Sequence, residues 1–93
     1  MDKTMYVGII GFGGEGNAHR KNISKIKGLE VAGIYDIKEC RREYARSEGV
    51  FVYDDYNAML ADEKIDIILI ATPNDVHKDL AVLALRAGKN VIC

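Results

Sequence analysis

The stretch from Met5 to Gly16, MYVGIIGFGGEG, constrains this chain more than any other. Met5 to Ile10 is short, apolar and rich in β-branched residues, the profile of a strand covered on both faces. It stops abruptly in a turn that carries Gly11, Gly13, Gly14 and Gly16. Beyond the turn, His19, Ile23 and Ile26 recur at i, i+4 and i+7, which predicts a helix with one apolar stripe, closed by Gly28. A strand that enters a helix through a glycine turn is the opening of a βαβ unit.

The remainder repeats that alternation. Leu29 to Tyr35 predicts a second strand ending at Asp36, and a second helix follows with Ile37, Cys40, Tyr44, Ala45 and Glu48 on one face and Gly49 as its stop. Phe51 to Tyr53 predicts a brief third strand. Tyr56, Met59 and Leu60 predict a single short helix turned inward. Ile65 to Ala71 is apolar except for Asp66 and predicts a strand in the middle of the sheet. Thr72 and Pro73 break it, Asn74 is a candidate cap, and Val76, Leu80, Leu83, Ala84 and Ala87 form the stripe of another helix, stopped by Gly88. Asn90 to Cys93 opens a fifth strand. Strands and helices in alternation with short joints require parallel pairing through right-handed crossovers. The expected fold is therefore α/β, a doubly wound parallel sheet of the Rossmann type, incomplete, with about five strands and helices on both faces.

Composition narrows the function. Thirteen Lys and Arg oppose 14 Asp and Glu for a net charge of −1, which lacks the electrostatic footprint of a nucleic-acid binder. The basic run Arg20, Lys21, Lys25 and Lys27 has no interleaved aromatic residue and reads as a solvated helix face. No segment approaches the roughly 20 apolar residues that span a bilayer, and the first ten residues do not form a signal peptide, so a cytoplasmic protein without a membrane partner is expected. Cys40 and Cys93 have neither the density of a disulfide scaffold nor the spacing of a zinc site, and no metal is expected.

Gly11, Gly13 and Gly16 spell GxGxxG as GFGGEG, in the strand-to-helix context that gives the pattern meaning. Gly11 permits the tight turn, a bare Gly13 lets a pyrophosphate meet the backbone, and Gly16 lets helix and strand approach closely. The N–H groups of the first helical turn then face the anion along the helix dipole. Asp36 follows Gly16 by 20 residues at the end of strand two, where a carboxylate accepts hydrogen bonds from an adenosine ribose diol and so favours NAD. A 2′-phosphate beside it would be repelled, although Lys38, Arg41 and Arg42 could pair with such a phosphate and leave NADP possible. Asp36 could also cap the second helix. The candidate cofactor contacts from these segments are Gly11, Phe12, Gly13, Gly14, Glu15 and Gly16, with Asp36, Ile37 and Arg41.

GFGGEG, Asp36, Asp55-Tyr56 before a short helix, ATPN at Ala71 to Asn74 with His77, and the closing AGKNVIC together resemble the N-terminal half of the Gfo/Idh/MocA oxidoreductases, over nearly the whole chain. The resemblance implies that Ala71, Thr72, Pro73 and Asn74 line the cofactor near its pyrophosphate and nicotinamide, with His77 close behind. It also implies hydride transfer between the nicotinamide and a hydroxyl carbon of a sugar, polyol or similar substrate. Members of the family continue into a Glu-Lys-Pro motif with a reactive lysine and then into a substrate domain. Residues 1–93 are accordingly expected to be a dinucleotide-binding fragment that lacks the C-terminal substrate domain and turns nothing over by itself.

No catalytic residue is assigned within the chain. His19 shares a helix face with isoleucines and reads as a structural histidine, and His77 as a first-turn histidine that holds a loop. Neither cysteine has a partner base. Two other classes fit the glycine turn: a nucleotide-binding regulatory module without catalysis, and a methyltransferase, against which the third glycine and ATPN argue. The fifth strand would present an unpaired edge, so self-association there is expected.

Overall fold

The computed structural model describes residues 3–72 and 76–93. Strand β1, Met5–Ile10, leads into helix α1, Gly14–Ile23, and then to β2, Leu29–Tyr35. Helices α2, Glu39–Ser47, and α3, Tyr56–Ala61, precede β3, Ile67–Ile70, and α4, His77–Arg86, precedes β4, Asn90–Ile92. The four strands are parallel in the order β2-β1-β3-β4. The chain thus winds outward from β1 to β2, crosses back over β1 to β3 and continues to β4. Its reversal point lies between β1 and β3, where an open α/β sheet holds its crevice.

Neighbouring residues of β1 and β3 point to opposite faces, and both faces are covered. Val7, Ile9 and Leu69 pack with Ile34, Phe12 and Ala45 of α2. Ile10, Ile68 and Ile70 pack with Tyr56 and Met59 of α3 and Ala84 of α4. The central position expected for the IDIILIA strand is therefore realised. Asp66, its one charged residue, stands just before β3 and accepts the Tyr6 amide proton on its carboxylate at 3.0 Å. It serves the entrance of the sheet rather than its interior.

The structure corrects several expectations. The sheet has four strands, not about five: Phe51 to Tyr53 makes only the parallel bridge between Ile34 and Val52, through Ile34 N–H to Phe51 O and Tyr53 N–H to Ile34 O, each 2.9 Å. That segment is too short to pair with more than one residue of β2. Helix α1 ends at Ile23 instead of running to Gly28, because Lys25 and Ile26 close tight turns onto Asn22 and Ile23, and Ile26 is left exposed. On α2 the expected stripe shrinks to Ala45; Ile37 precedes the helix and is 83% exposed, and Cys40, Tyr44 and Glu48 are also exposed. Of the stripe on α4, Ala84 is buried while Val76, Leu83 and Ala87 are exposed. Val76 occupies the N-cap position of that helix, and the expected cap Asn74 lies outside the described residues, as does Pro73.

Candidate functional site

The glycine turn is set by two close approaches. Gly11 has φ +96°, and a Cβ there would meet the Ala71 carbonyl oxygen at 2.8 Å and Thr72 Cγ2 at 2.9 Å. A Cβ on Gly16 would overlap the carbonyl oxygen of Gly11. These contacts press the start of α1 onto the end of β1 and bring both beside the end of β3. No side chain caps α1 at Gly13. The first N–H groups of a helix have no partners within the helix, so this end presents donors.

Asp36 organises the other side of the turn. Its carboxylate is almost fully buried and accepts the Phe12 amide proton at 2.8 Å and the Lys38 amide proton at 2.9 Å, while Arg41 Nη1 lies 3.3 Å from Oδ2. Burial pushes its pKa up, but these hydrogen bonds and the Arg41 charge outweigh that effect and hold the carboxyl below the ordinary aspartate value. The bond to Lys38 is a two-residue side-chain turn, and the N-cap position of α2 belongs to Lys38, so Asp36 is not the helix cap. Arg42 fixes the same strand end by donating to the carbonyls of Asp36 at 2.7 Å and Ile37 at 2.8 Å.

A cleft of about 450 Å³ opens at the carboxyl ends of β1, β2 and β3. Of the sequence candidates, Gly11, Asp36, Ile37, Arg41, Ala71 and Thr72 line it. Gly13 lies next to Arg41, whose guanidinium carbon would stand 3.1 Å from a Cβ there. Gly16 is buried beneath the turn, whereas Gly14 and Glu15 face solvent, with Glu15 carrying a 3.5 Å contact to His19. Phe12 turns its ring into the core beside Tyr44 and Arg20, and its amide is engaged by Asp36. His77 Nε2 bonds the Thr72 carbonyl oxygen, which matches a histidine that holds the loop. Pro73 and Asn74 fall on the undescribed segment.

Tyr56, Val76 and Leu80 also line the cleft, and sequence reasoning assigned none of them to it. Their apolar spacing marked them as packing residues. Tyr56 does pack, donating its hydroxyl to the Leu80 carbonyl at 2.8 Å, and the pair adds an apolar wall to the cleft. A larger hollow, about 610 Å³, lies between the carboxyl ends of α1 and α2 and is lined by Thr4, Lys27, Glu48 and Val50 among others. It is remote from the strand ends where the glycine turn and Asp36 meet.

The cleft suits a dinucleotide in three respects. Thr72 Oγ1 is buried and has no hydrogen-bond partner among the described residues, so it offers a polar contact beside Gly11. Gly13 has no side chain at the uncapped end of α1, and the group nearest above it is the flexible end of Arg41. Asp36 supplies a buried carboxylate within the same opening.

The model of the Gfo/Idh/MocA oxidoreductase family, NAD-binding Rossmann fold, matches residues 5–93. The chain belongs to this family. The inositol 2-dehydrogenase of Salmonella paratyphi B is 32% identical across 97% of this chain and 28% of its own length. An NAD-binding protein from Listeria innocua has a crystal structure 49% identical, with a TM-score of 0.95, covering 98% of this chain and 27% of that one. A biliverdin reductase from Synechocystis, solved with biliverdin and NADP+, is 30% identical with a TM-score of 0.85 over 94% of this chain and 28% of its own. The chain thus spans about 28% of the length of the curated relatives it matches first. Among the described residues no helix is long and apolar enough to cross a membrane.

Proposed function

We propose that residues 1–93 are the dinucleotide-binding part of an NAD(P)-dependent oxidoreductase whose substrate domain lies outside this sequence, and that they prefer NAD. The observation that carries this reading is the convergence of the glycine turn and Asp36 on one cleft at the point where the sheet reverses. Bound there, a nicotinamide cofactor supplies hydride chemistry. The residues of the chain bind and orient it: the turn at Gly11, Gly13 and Gly16 receives the diphosphate, Asp36 the adenosine ribose, and Ala71 and Thr72, with the neighbouring Pro73 and Asn74, the stretch toward the nicotinamide. Ile37 and Leu80 give the adenosine apolar walls.

The whole protein is proposed to move a hydride between nicotinamide and a hydroxyl carbon of a sugar, polyol or related compound, a class supported by the family and by its inositol dehydrogenase relatives. It is proposed to act in the cytoplasm without nucleic-acid partners. The outer edge of β4, with Ile92 exposed on it, is proposed as a surface for self-association of this chain. Light scattering would show concentration-dependent dimers; a monomer at high concentration counts against that surface.

Calorimetry with NAD, NADP and S-adenosylmethionine tests the central reading, with NAD expected to bind tightest. Tighter binding of S-adenosylmethionine would replace it with a methyltransferase. Absence of NADH absorbance when the full-length gene product meets NAD and a panel of polyols would reduce the protein to a nucleotide-binding module.

A further inference from the structure

Arg41 and Arg42 are adjacent in sequence and differently anchored. Arg42 is pinned by two carbonyl oxygens at 2.7 and 2.8 Å, with its guanidinium 5.7 Å from the centre of the Tyr35 ring. Arg41 reaches from the first turn of α2 toward Gly13, and its one side-chain hydrogen bond among those described is the 3.3 Å contact to Asp36. Its guanidinium carbon lies 3.1 Å from where a Cβ on Gly13 would stand. The Arg41 side chain is 39% exposed, against 5% for Asp36, so it can swing outward without disturbing the core.

The room over Gly13 is the room a phosphate needs in order to reach the uncapped end of α1. One volume cannot hold both groups. We propose that Arg41 is a tethered placeholder, a cation that occupies the diphosphate seat and neutralises Asp36 in the free protein and is expelled from both when a nucleotide binds. This deepens the dinucleotide reading and rests on it. The exchange also determines which ligands enter. After Arg41 leaves, Asp36 keeps the Phe12 and Lys38 amides and has lone pairs to spare, since an ionised carboxylate offers about four acceptor sites. A ligand that brings an anion for the turn and a vicinal diol for Asp36 replaces both contacts of Arg41. Pyrophosphate or adenosine alone replaces one.

The test is a titration of the full chain, labelled with nitrogen-15 in its arginine side chains, with ADP, adenosine and inorganic pyrophosphate at physiological ionic strength. The Arg41 signal is identified by its loss in Arg41→Met. ADP is expected to shift the Arg41 Nε–H resonance and leave that of Arg42 in place. Adenosine or pyrophosphate alone should shift Arg41 less than ADP does at equal saturation. An Arg41 resonance unchanged in the ADP complex overturns the exchange, as does one shifted as far by adenosine alone or by pyrophosphate alone as by ADP. A parent chain that binds neither ADP nor NAD sinks the dinucleotide reading, and the exchange falls with it.

Discussion

The buried carboxylate of Asp36 accepts the amide proton of Phe12 at 2.8 Å, joining the end of β2 to the middle of the glycine turn across 24 residues of sequence. The acid expected to recognise a ligand therefore also shapes the loop that receives it. Substitutions at two glycines of this turn separate binding from folding.

Gly16→Ala should damage the fold itself. The added methyl overlaps the Gly11 carbonyl oxygen, which is backbone and belongs to a turn already pressed on Ala71. Overpacking of this kind typically costs about 1–3 kcal/mol, and a rigid neighbour places this site at about 3 kcal/mol. Urea denaturation would show the lower midpoint; an unchanged midpoint would mean that α1 can lift off the turn.

Gly13→Val should do the opposite. The nearest atoms to a new side chain there belong to the guanidinium of Arg41, the far end of a flexible chain, so stability should stay within about 1 kcal/mol of the parent, the range of most surface changes. NAD affinity should fall roughly 100-fold or more, equivalent to about 2.8 kcal/mol. Parallel thermal melts and calorimetry would check both halves, and retained NAD binding would move the diphosphate away from this turn.

Asp36→Ala should narrow the ratio of NAD to NADP affinity, because the repulsion of a 2′-phosphate goes with the carboxylate. It should also destabilise the chain by about 1–3 kcal/mol, since the buried Phe12 N–H loses its acceptor. An unchanged ratio would leave Asp36 with only the work of holding the turn. The carboxyl is held below the ordinary aspartate value of 3.8, so the folded state binds fewer protons than the unfolded state in that range. Its contribution is present above pH 3.8 and is lost as pH falls through the lower folded value. Asp36→Asn should consequently unfold over a shallower acid transition, as followed by circular dichroism.

Alkali should strike at Tyr56. Burial, followed by the nearby Cys93, pushes its hydroxyl from 10.0 to about 12, and Tyr53 is also raised by burial and by its bond to Asp62. The folded state holds these protons more tightly than the unfolded chain, so the contribution of Tyr56 is complete below pH 10 and is lost as pH rises through about 12. Phenolate absorbance should accordingly rise together with unfolding in this range, and Tyr56→Phe should weaken that coupling. A Tyr56 phenol that ionises near pH 10 in the folded chain would contradict its burial.

The sequence disclosed the architecture because the relevant physics is local. The glycine turn, the β-branched runs and the i, i+4 stripes each report the backbone and burial of their own segment, and their alternation forces parallel crossovers. They also named the turn and Asp36 as neighbours. They did not reveal that Phe51 to Tyr53 touches the sheet at a single residue, or that α2 buries only Ala45, since the extent of coverage depends on what lies opposite.

The amino-acid order alone thus determined the fold class, the strand-turn-helix seat and the type of group it would receive, because those follow from steric permission at glycine and from periodic burial. Only the tertiary structure decided that Tyr56 and Leu80 form the cleft wall, that Asp36 closes on Phe12, and that Arg41 stands over Gly13 while Arg42 is pinned to the backbone. Those assignments depend on distances between segments far apart in the chain, and side chains of the same type acquire different roles from the atoms that happen to face them.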